Sequence, residues 1–260
     1  IFNHGGTVRA EEGSSIESID GRAIYADNGS RTTFSGTIKD VTSNEVMKEA
    51  VNVGSMGSGF GGMAYYGSGN TVFTLGEGGS ISDIKTHDGK QADVVLHLIG
   101  GTFNMEAGSV IHDIDVVGIA DMNGATVNIA GTVRDCDLKN ILFRMRGSAS
   151  TFKLQESGSI KNCKTSDASI IYLNQGRPTI EIAGTIDTAN KPALYISNNG
   201  SQKNGKITLT KTGVITNITG YGIRLEDPSR VTIEGTITNC SDYALQYYPK
   251  SNQSLLTIKD

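Results

Sequence analysis

Few side chains in this sequence are of a type and spacing that could do chemistry. Histidine beside a carboxylate, a common unit of proton transfer, occurs at His87-Asp88 and at His112-Asp113-Ile114-Asp115, while His97 stands between Leu96 and Leu98. General acid–base work needs a second group set against the substrate, and neither histidine–acid stretch supplies one nearby. His97 alternates with apolar neighbours as a strand residue does and reads as a surface residue without a task. No Ser-His-Asp order, phosphate-binding glycine loop or His/Cys metal spacing can be assembled. The sequence therefore yields no catalytic residue, no metal site and no cofactor.

One set of acids is more regular. Asp40, Asp83, Asp113 and Asp135 share a position with Asn162, Asn217 and Asn239 in a recurring hexapeptide. Such a column invites reading as a chain of cation sites. Stacked at strand spacing, ionised aspartates would repel one another unless locally satisfied. Asp and Asn, however, are the side chains that tolerate a left-handed backbone and bond to their own turn. The column is expected to be a ladder of turns.

The hexapeptide itself is glycine, Ser or Thr, an aliphatic residue, any residue, Asp or Asn, then an aliphatic residue or Cys. It appears as Gly36-Thr37-Ile38-Lys39-Asp40-Val41 and again from Gly79, Gly131, Gly158 and Gly235, with looser copies from Gly13, Gly108, Gly184 and Gly213. Successive glycines lie 22–29 residues apart, except for one interval of 43. Recurrence on that scale marks a solenoid or propeller.

Between copies the pattern is equally regular. In Arg230 to Tyr248, Val231-Thr232-Ile233, Thr236-Ile237-Thr238 and Ala244-Leu245-Gln246-Tyr247 each alternate apolar and polar residues, which predicts three short strands per repeat. The aliphatic or Cys column is followed five residues later by an apolar residue in Ile19/Ile24, Ile114/Ile119, Cys136/Ile141, Ala189/Leu194, Ile218/Ile223 and Cys240/Leu245. Strands this short cannot pair as hairpins within a repeat and must stack on the next one. The expected fold is an all-β, right-handed parallel β-helix of about nine to ten rungs with three short strands per rung. Propeller blades need longer repeats. Cys136, Cys163 and Cys240 fall in the column held elsewhere by Val41, Ile84, Ile114 and Ile218, so they are expected to be buried free thiols packing as small hydrophobes. Cys136 and Cys163 would lie on adjacent rungs about 4.8 Å apart, a separation that does not by itself forbid a disulfide.

With 33 glycines, four prolines and a net charge of −4 spread along the chain, the sequence offers no basic patch for nucleic acid, and no apolar run reaches membrane-spanning length. Residues 1–260 read as a single β-helix domain, monomeric and without membrane insertion. Because it begins at Ile1 without a leader and Leu255 to Asp260 starts another strand, it also reads as a segment of a longer protein. Residues 44–62 make the long interval and are expected to protrude: Thr42-Ser43-Asn44-Glu45 fits a capping box for a short helix, and a glycine-rich run follows that carries Met56 and Phe60. A smaller excursion spans Thr86 to Asp93. Loops leaving a rigid scaffold often carry function.

The row expected to point outward from the third strand is Tyr25, Tyr66, Ala120, Leu142, Tyr172, Tyr195, Arg224 and Gln246, with Tyr248 one step beyond. Its counterpart on the first strand, Asn104, Asn128, Lys153, Glu181, Thr208 and Thr232, is wholly polar. Rigid, amphipathic tyrosines beside arginine suit protein contacts or sugar stacking. The candidate binding residues are therefore Tyr172, Tyr195 and Arg224, then Tyr25 and Tyr66, then Met56 and Phe60. Ice binding would need a flat uncharged face, and Lys39, Arg134, Lys161 and Asp187 interrupt the Ser/Thr row.

At the level of fold the repeats resemble the pectin-lyase-like β-helix enzymes, which would imply a calcium-dependent lyase with an Arg or Lys base or a hydrolase with clustered aspartates. None of their motifs is present: no Asn-Thr-Asp, Asp-Asp, Gly-His-Gly or Arg-Ile-Lys. The Gly-Thr-Ile-Thr-Asn-like rungs also resemble the β-helical repeats of large bacterial cell-surface, adhesin-like proteins. That resemblance implies a non-enzymatic, extracellular module that recognises a host protein, such as a glycoprotein or immunoglobulin, or a glycan. A β-helix polysaccharide lyase or glycoside hydrolase is the alternative.

Overall fold

The structure is a computed structural model and describes residues 1–43, 61–86, 93–147, 149–166, 169–173, 176–196, 205–226, 230–248 and 255–259. Every strand pairing is parallel, and each strand pairs with its equivalents in the preceding and following repeats. Among the described residues three sheets result, with ten, ten and nine strands. The chain visits them in turn, as in Ile24–Asp27, Arg31–Phe34 and Thr37–Ser43, so it winds as a β-helix with three strands per rung. No helix occurs among the described residues. We refer to the sheets by the strand order used above: the sheet of first strands runs from Thr7–Ala10 to Leu255–Ile258, that of second strands from Ser15–Asp20 to Thr236–Ile237, and that of third strands from Phe2–His4 to Leu245–Tyr247.

Alternation decides which side chains enter the prism. On the first strands the pairs Phe73/Leu75, Phe103/Met105, Val127/Ile129, Phe152/Leu154 and Ile180/Ile182 point inward and are buried. Because pairing is in register, each stacks on the same position one rung away, and apolar area is removed from water continuously along the axis. Rings meet across the interior as well: Tyr65 lies on Phe73 with centroids 4.4 Å apart, and Phe143 packs on Phe152 at 4.9 Å. All three cysteines are free thiols, Cys136 and Cys163 buried and Cys240 half-buried. The neighbouring Cys163 and burial both push the Cys136 thiol up, so it stays protonated and acts as a small apolar group.

The hexapeptide has two separate backbone reasons for its composition. Its glycine sits where a rung closes on the one before, except in the looser copies from Gly13 and Gly108, where it is a left-handed turn residue. A Cβ at Gly184 would lie 2.2 Å from the Gly158 carbonyl oxygen, and one at Gly158 would lie 2.3 Å from that of Ile129. Its Asp/Asn position is left-handed: φ is 51–56° at Ser18, Asp40, Asp83, Asp113, Asp135, Asn162, Thr188, Asn217 and Asn239. The turn ladder is present as expected, and the looser copies fill it with Ser18 and Thr188. A β-branched threonine is poorly suited to that conformation.

Two features differ from expectation. The five-residue step from the second strand to the third fails in the middle of the chain. Register places Ala120 and Phe143, not Ile119 and Ile141, in line with Leu96 and Ile171. The corner is one residue longer after Ile114 and two longer after Cys136, and the extra residues have apolar reasons of their own. Val116 and Leu138 are buried, and Asp137–Leu138 pairs with Lys164–Thr165. Ala120 and Leu142 are therefore buried core residues and not members of the outward row. The second difference is that a third strand begins at Gly61, so Gly61 and Gly62 belong to the sheet and not to the protruding 44–62 segment. The remainder of that segment, including Met56, Phe60 and the expected short helix, lies outside the described residues, as do His87 and Asp88.

Two substitutions test the corner. Gly184→Ala forces a methyl against two carbonyl oxygens and should lower stability by about 1–3 kcal/mol. Thr188→Asn should raise it by about 1 kcal/mol by relieving the left-handed threonine, a rise of about 2–4 °C in Tm for a chain of this size. Urea and thermal unfolding followed by circular dichroism read both. An unchanged midpoint for Gly184→Ala contradicts the close approach of rungs.

Candidate functional site

Strand pairing fixes one continuous outward row along the sheet of third strands: Phe2, Tyr25, Tyr66, His97, Asp121, Arg144, Tyr172, Tyr195, Arg224 and Gln246. Five of these were legible in the sequence as candidates. The row separates them into two groups, Tyr25 with Tyr66, and Tyr172 with Tyr195 and Arg224. The two are four rung spacings apart, about 19 Å.

In the first group the rings form a stack. Phe2 lies on Tyr25 at 5.2 Å and Tyr25 on Tyr66 at 5.1 Å, the planes within 19° and 13° of parallel. Arg22, from the preceding corner, sets its guanidinium 4.6 Å from the Tyr66 centroid. Ring faces are thus covered by other rings or by Arg22, and edges and hydroxyls are left to the outside.

The middle of the row is charged, and sequence reasoning missed it. Asp121 points outward yet is 0% exposed. Arg144 Nε donates to its Oδ1 at 2.9 Å, Arg146 Nε donates to the same oxygen at 3.0 Å, and Arg146 Nη2 donates to Oδ2. His97, also buried, places Nε2 3.8 Å from Oδ2 and meets Tyr66 edge-on at 5.3 Å. His97 is therefore not an idle surface histidine but part of a buried polar seam. A buried carboxylate is tolerable because charged donors occupy both oxygens. Nothing in local composition announces this cluster. Its signal is the register, which becomes readable only when the corner after Ile114 is allowed an extra residue.

The second group follows directly. Tyr172 and Tyr195 lie 5.6 Å apart at 40°, and the Arg224 guanidinium sits 4.9 Å from the Tyr195 centroid and 5.5 Å from that of Tyr221. Glu226 forms an ion pair with Arg224. Burial first, and then the Glu226 carboxylate, push the Tyr195 phenol up to about 12. Tyr195 accordingly stays a neutral hydroxyl donor at neutral pH, beside a permanently charged guanidinium. The Arg224 guanidinium thus lies over one face of Tyr195, and the tilted Tyr172 ring packs against it from the preceding rung.

The other faces carry less. On the first-strand sheet the row is polar as expected, with Asn128 Nδ2 donating to Asn104 Oδ1 at 2.9 Å. Along the turn ladder, side chains relieve the stacked acids. Ser18 Oγ donates to Asp40 at 2.8 Å, Lys85 lies 3.9 Å from Asp83, His112 Nδ1 is 2.6 Å from Asp113, and Asp135 is held by Arg134 and by Asn162 Nδ2 at 2.5 Å. Asn162 first and Arg134 second hold the Asp135 carboxyl below its ordinary value. His112-Asp113 is thereby a turn pair on an exposed edge. Among the described residues no three His, Cys, Asp or Glu side chains converge on a point where a metal could sit, and no helix is long and apolar enough to cross a membrane. Compared with known protein families, curated proteins and solved structures, the chain matches none.

Unequal burial gives a direct test of the seam. Asp121→Ala leaves two largely buried guanidiniums without their carboxylate and should cost about 3–5 kcal/mol. Asp135→Ala, on the partly exposed ladder, should cost about 1 kcal/mol or less. Urea midpoints of the two variants that fall together would contradict the seam.

Proposed function

We propose that this chain is a non-enzymatic binding module that holds a protein partner on the outward face of its third-strand sheet, centred on Tyr172, Tyr195 and Arg224. The observation that carries the reading is the state of the rings. Sugar stacking needs an open aromatic face, whereas here Tyr25, Tyr66 and Tyr195 spend their faces on neighbouring rings and on Arg22 or Arg224. What they offer is ring edge, phenol hydroxyl and guanidinium, held half-buried on a rigid sheet. That is the composition of protein–protein hot spots, and preorganisation lowers the entropy lost on binding.

A glycan-cleaving role finds less support. Asp121 is the one carboxylate in the row, and it is buried and engaged by two arginines, so it is poorly placed either to protonate a leaving oxygen or to activate water. The resemblance of the repeats to bacterial surface proteins extends the proposal to an extracellular, cell-surface setting and to a host protein, a glycoprotein or immunoglobulin, as the partner class.

The test is capture from host secretions by the immobilised chain, with bound proteins identified by mass spectrometry. Tyr172→Ala with Tyr195→Ala should abolish capture while the Tm stays within a few degrees, since both side chains are only half-buried. Capture unchanged by the double substitution would remove this face from the account. Loss of capture after enzymatic deglycosylation of the secretions, with the bare protein no longer bound, would favour a glycan instead.

A further inference from the structure

At the C-terminal end of the same face three successive corners line an open, shallow cleft of about 490 Å³ bordered by Lys191, Pro192, Gly220, Tyr221, Arg224 and Asp242 among others. Register explains its shape. Ala189, Ile218 and Cys240 are paired in one column, and Leu194, Ile223 and Leu245 in another. Lys191, Gly220 and Asp242 fall at the same place between them, so one column of consecutive rungs reads cation, no side chain, anion. The two charges stand two rung spacings apart, about 10 Å, across a notch. Gly220 has φ +99°, a conformation that residues with a side chain rarely adopt, so the gap persists because the backbone there favours glycine.

The walls are locked and the charges are not. Asn190 is consumed by both backbone groups of Thr165, donating to its carbonyl at 3.0 Å and accepting from its N–H at 2.8 Å. Ser241 Oγ accepts from the Gly220 N–H at 2.8 Å. Tyr221 is stacked on Tyr243 at 6.1 Å and covered by Arg224. Among the described residues neither Lys191 nor Asp242 joins an ion pair, whereas Arg224 on the adjoining strand is paired with Glu226.

We propose that this notch is the anchor of the partner interface and takes a protein loop carrying one acidic and one basic side chain, the acid on Lys191 and the base on Asp242. The proposal rests on the protein-binding reading of the adjoining face, because Arg224 belongs to both. A small anion would be served by Lys191 but repelled by Asp242, and a cation the reverse. Only an occupant with both charges satisfies the pair, and such complementarity governs the choice of partner.

The probe is a random dodecapeptide library displayed on phage and panned on the whole chain. Wild type should enrich peptides with an acidic and a basic residue, and Lys191→Gln with Asp242→Asn should cut their recovery at least about tenfold. Both side chains lie on the surface of corners, so the melt should be unchanged. Absence of mixed-charge peptides, enrichment of one sign only, or equal recovery on the variant each overturns the notch. Tyr172→Ala with Tyr195→Ala, panned in parallel and used in the capture from secretions, separates the two ideas. Capture lost with that variant but intact with Lys191→Gln/Asp242→Asn leaves the face standing and removes the notch alone.

Discussion

In-register parallel pairing is the constraint from which the rest of this structure follows. Each residue has its equivalent in the next repeat as a neighbour one strand spacing away, so a side chain is chosen against copies of its own position. Apolar positions accept this readily, and the interior becomes continuous columns of isoleucine, leucine and phenylalanine. Glycine is fixed where one rung closes on the carbonyl of another, and Asp, Asn, Ser or Thr where the backbone turns left-handed.

Charges are where the same rule resists. A column of aspartates one strand spacing apart is unfavourable, and the chain answers by placing Lys85, His112 and Arg134 next to the ladder acids and by alternating Asp135 with Asn162. On the third-strand face the answer is stronger. Asp121 lies between His97 and Arg144 in one column, and Arg146 reaches back to complete its hydrogen bonding. Aromatic side chains solve the stacking problem by lying on one another, which is why their faces are spent and their edges remain. The ring edges, hydroxyls and guanidinium that this face presents are in that sense a by-product of register.

Sequence alone carried most of this because two short-range rules sufficed. Period-two alternation gave the strands, and the glycine-led hexapeptide gave the corners. Tyr25, Tyr195 and Arg224 were legible because their rungs keep the five-residue step between second and third strands, whereas the Tyr172 rung runs eight residues from Cys163 to Ile171 and Tyr172 was legible from the Ile171-Tyr172-Leu173 alternation alone. Asp121 and Arg144 were not, because the corners before them hold extra residues whose apolar side chains, Val116 and Leu138, imitate the core pattern. Ile119 and Ile141 then fit a false register as well as Ala120 and Phe143 fit the true one. His97 was seen, but its neighbours Leu96 and Leu98 say nothing of the carboxylate one rung away. Local pattern specifies a strand, whereas corner length specifies which strands share a column.

The central claim is that the third-strand face, and not another side of the prism, meets a protein partner. Incorporating a photo-crosslinking phenylalanine analogue at position 195, and in a separate chain at position 208 on the polar first-strand sheet, tests it most directly in host secretions. The account predicts a discrete protein adduct from position 195 and none from position 208. Adducts from position 208 alone, or equally from both, would contradict it.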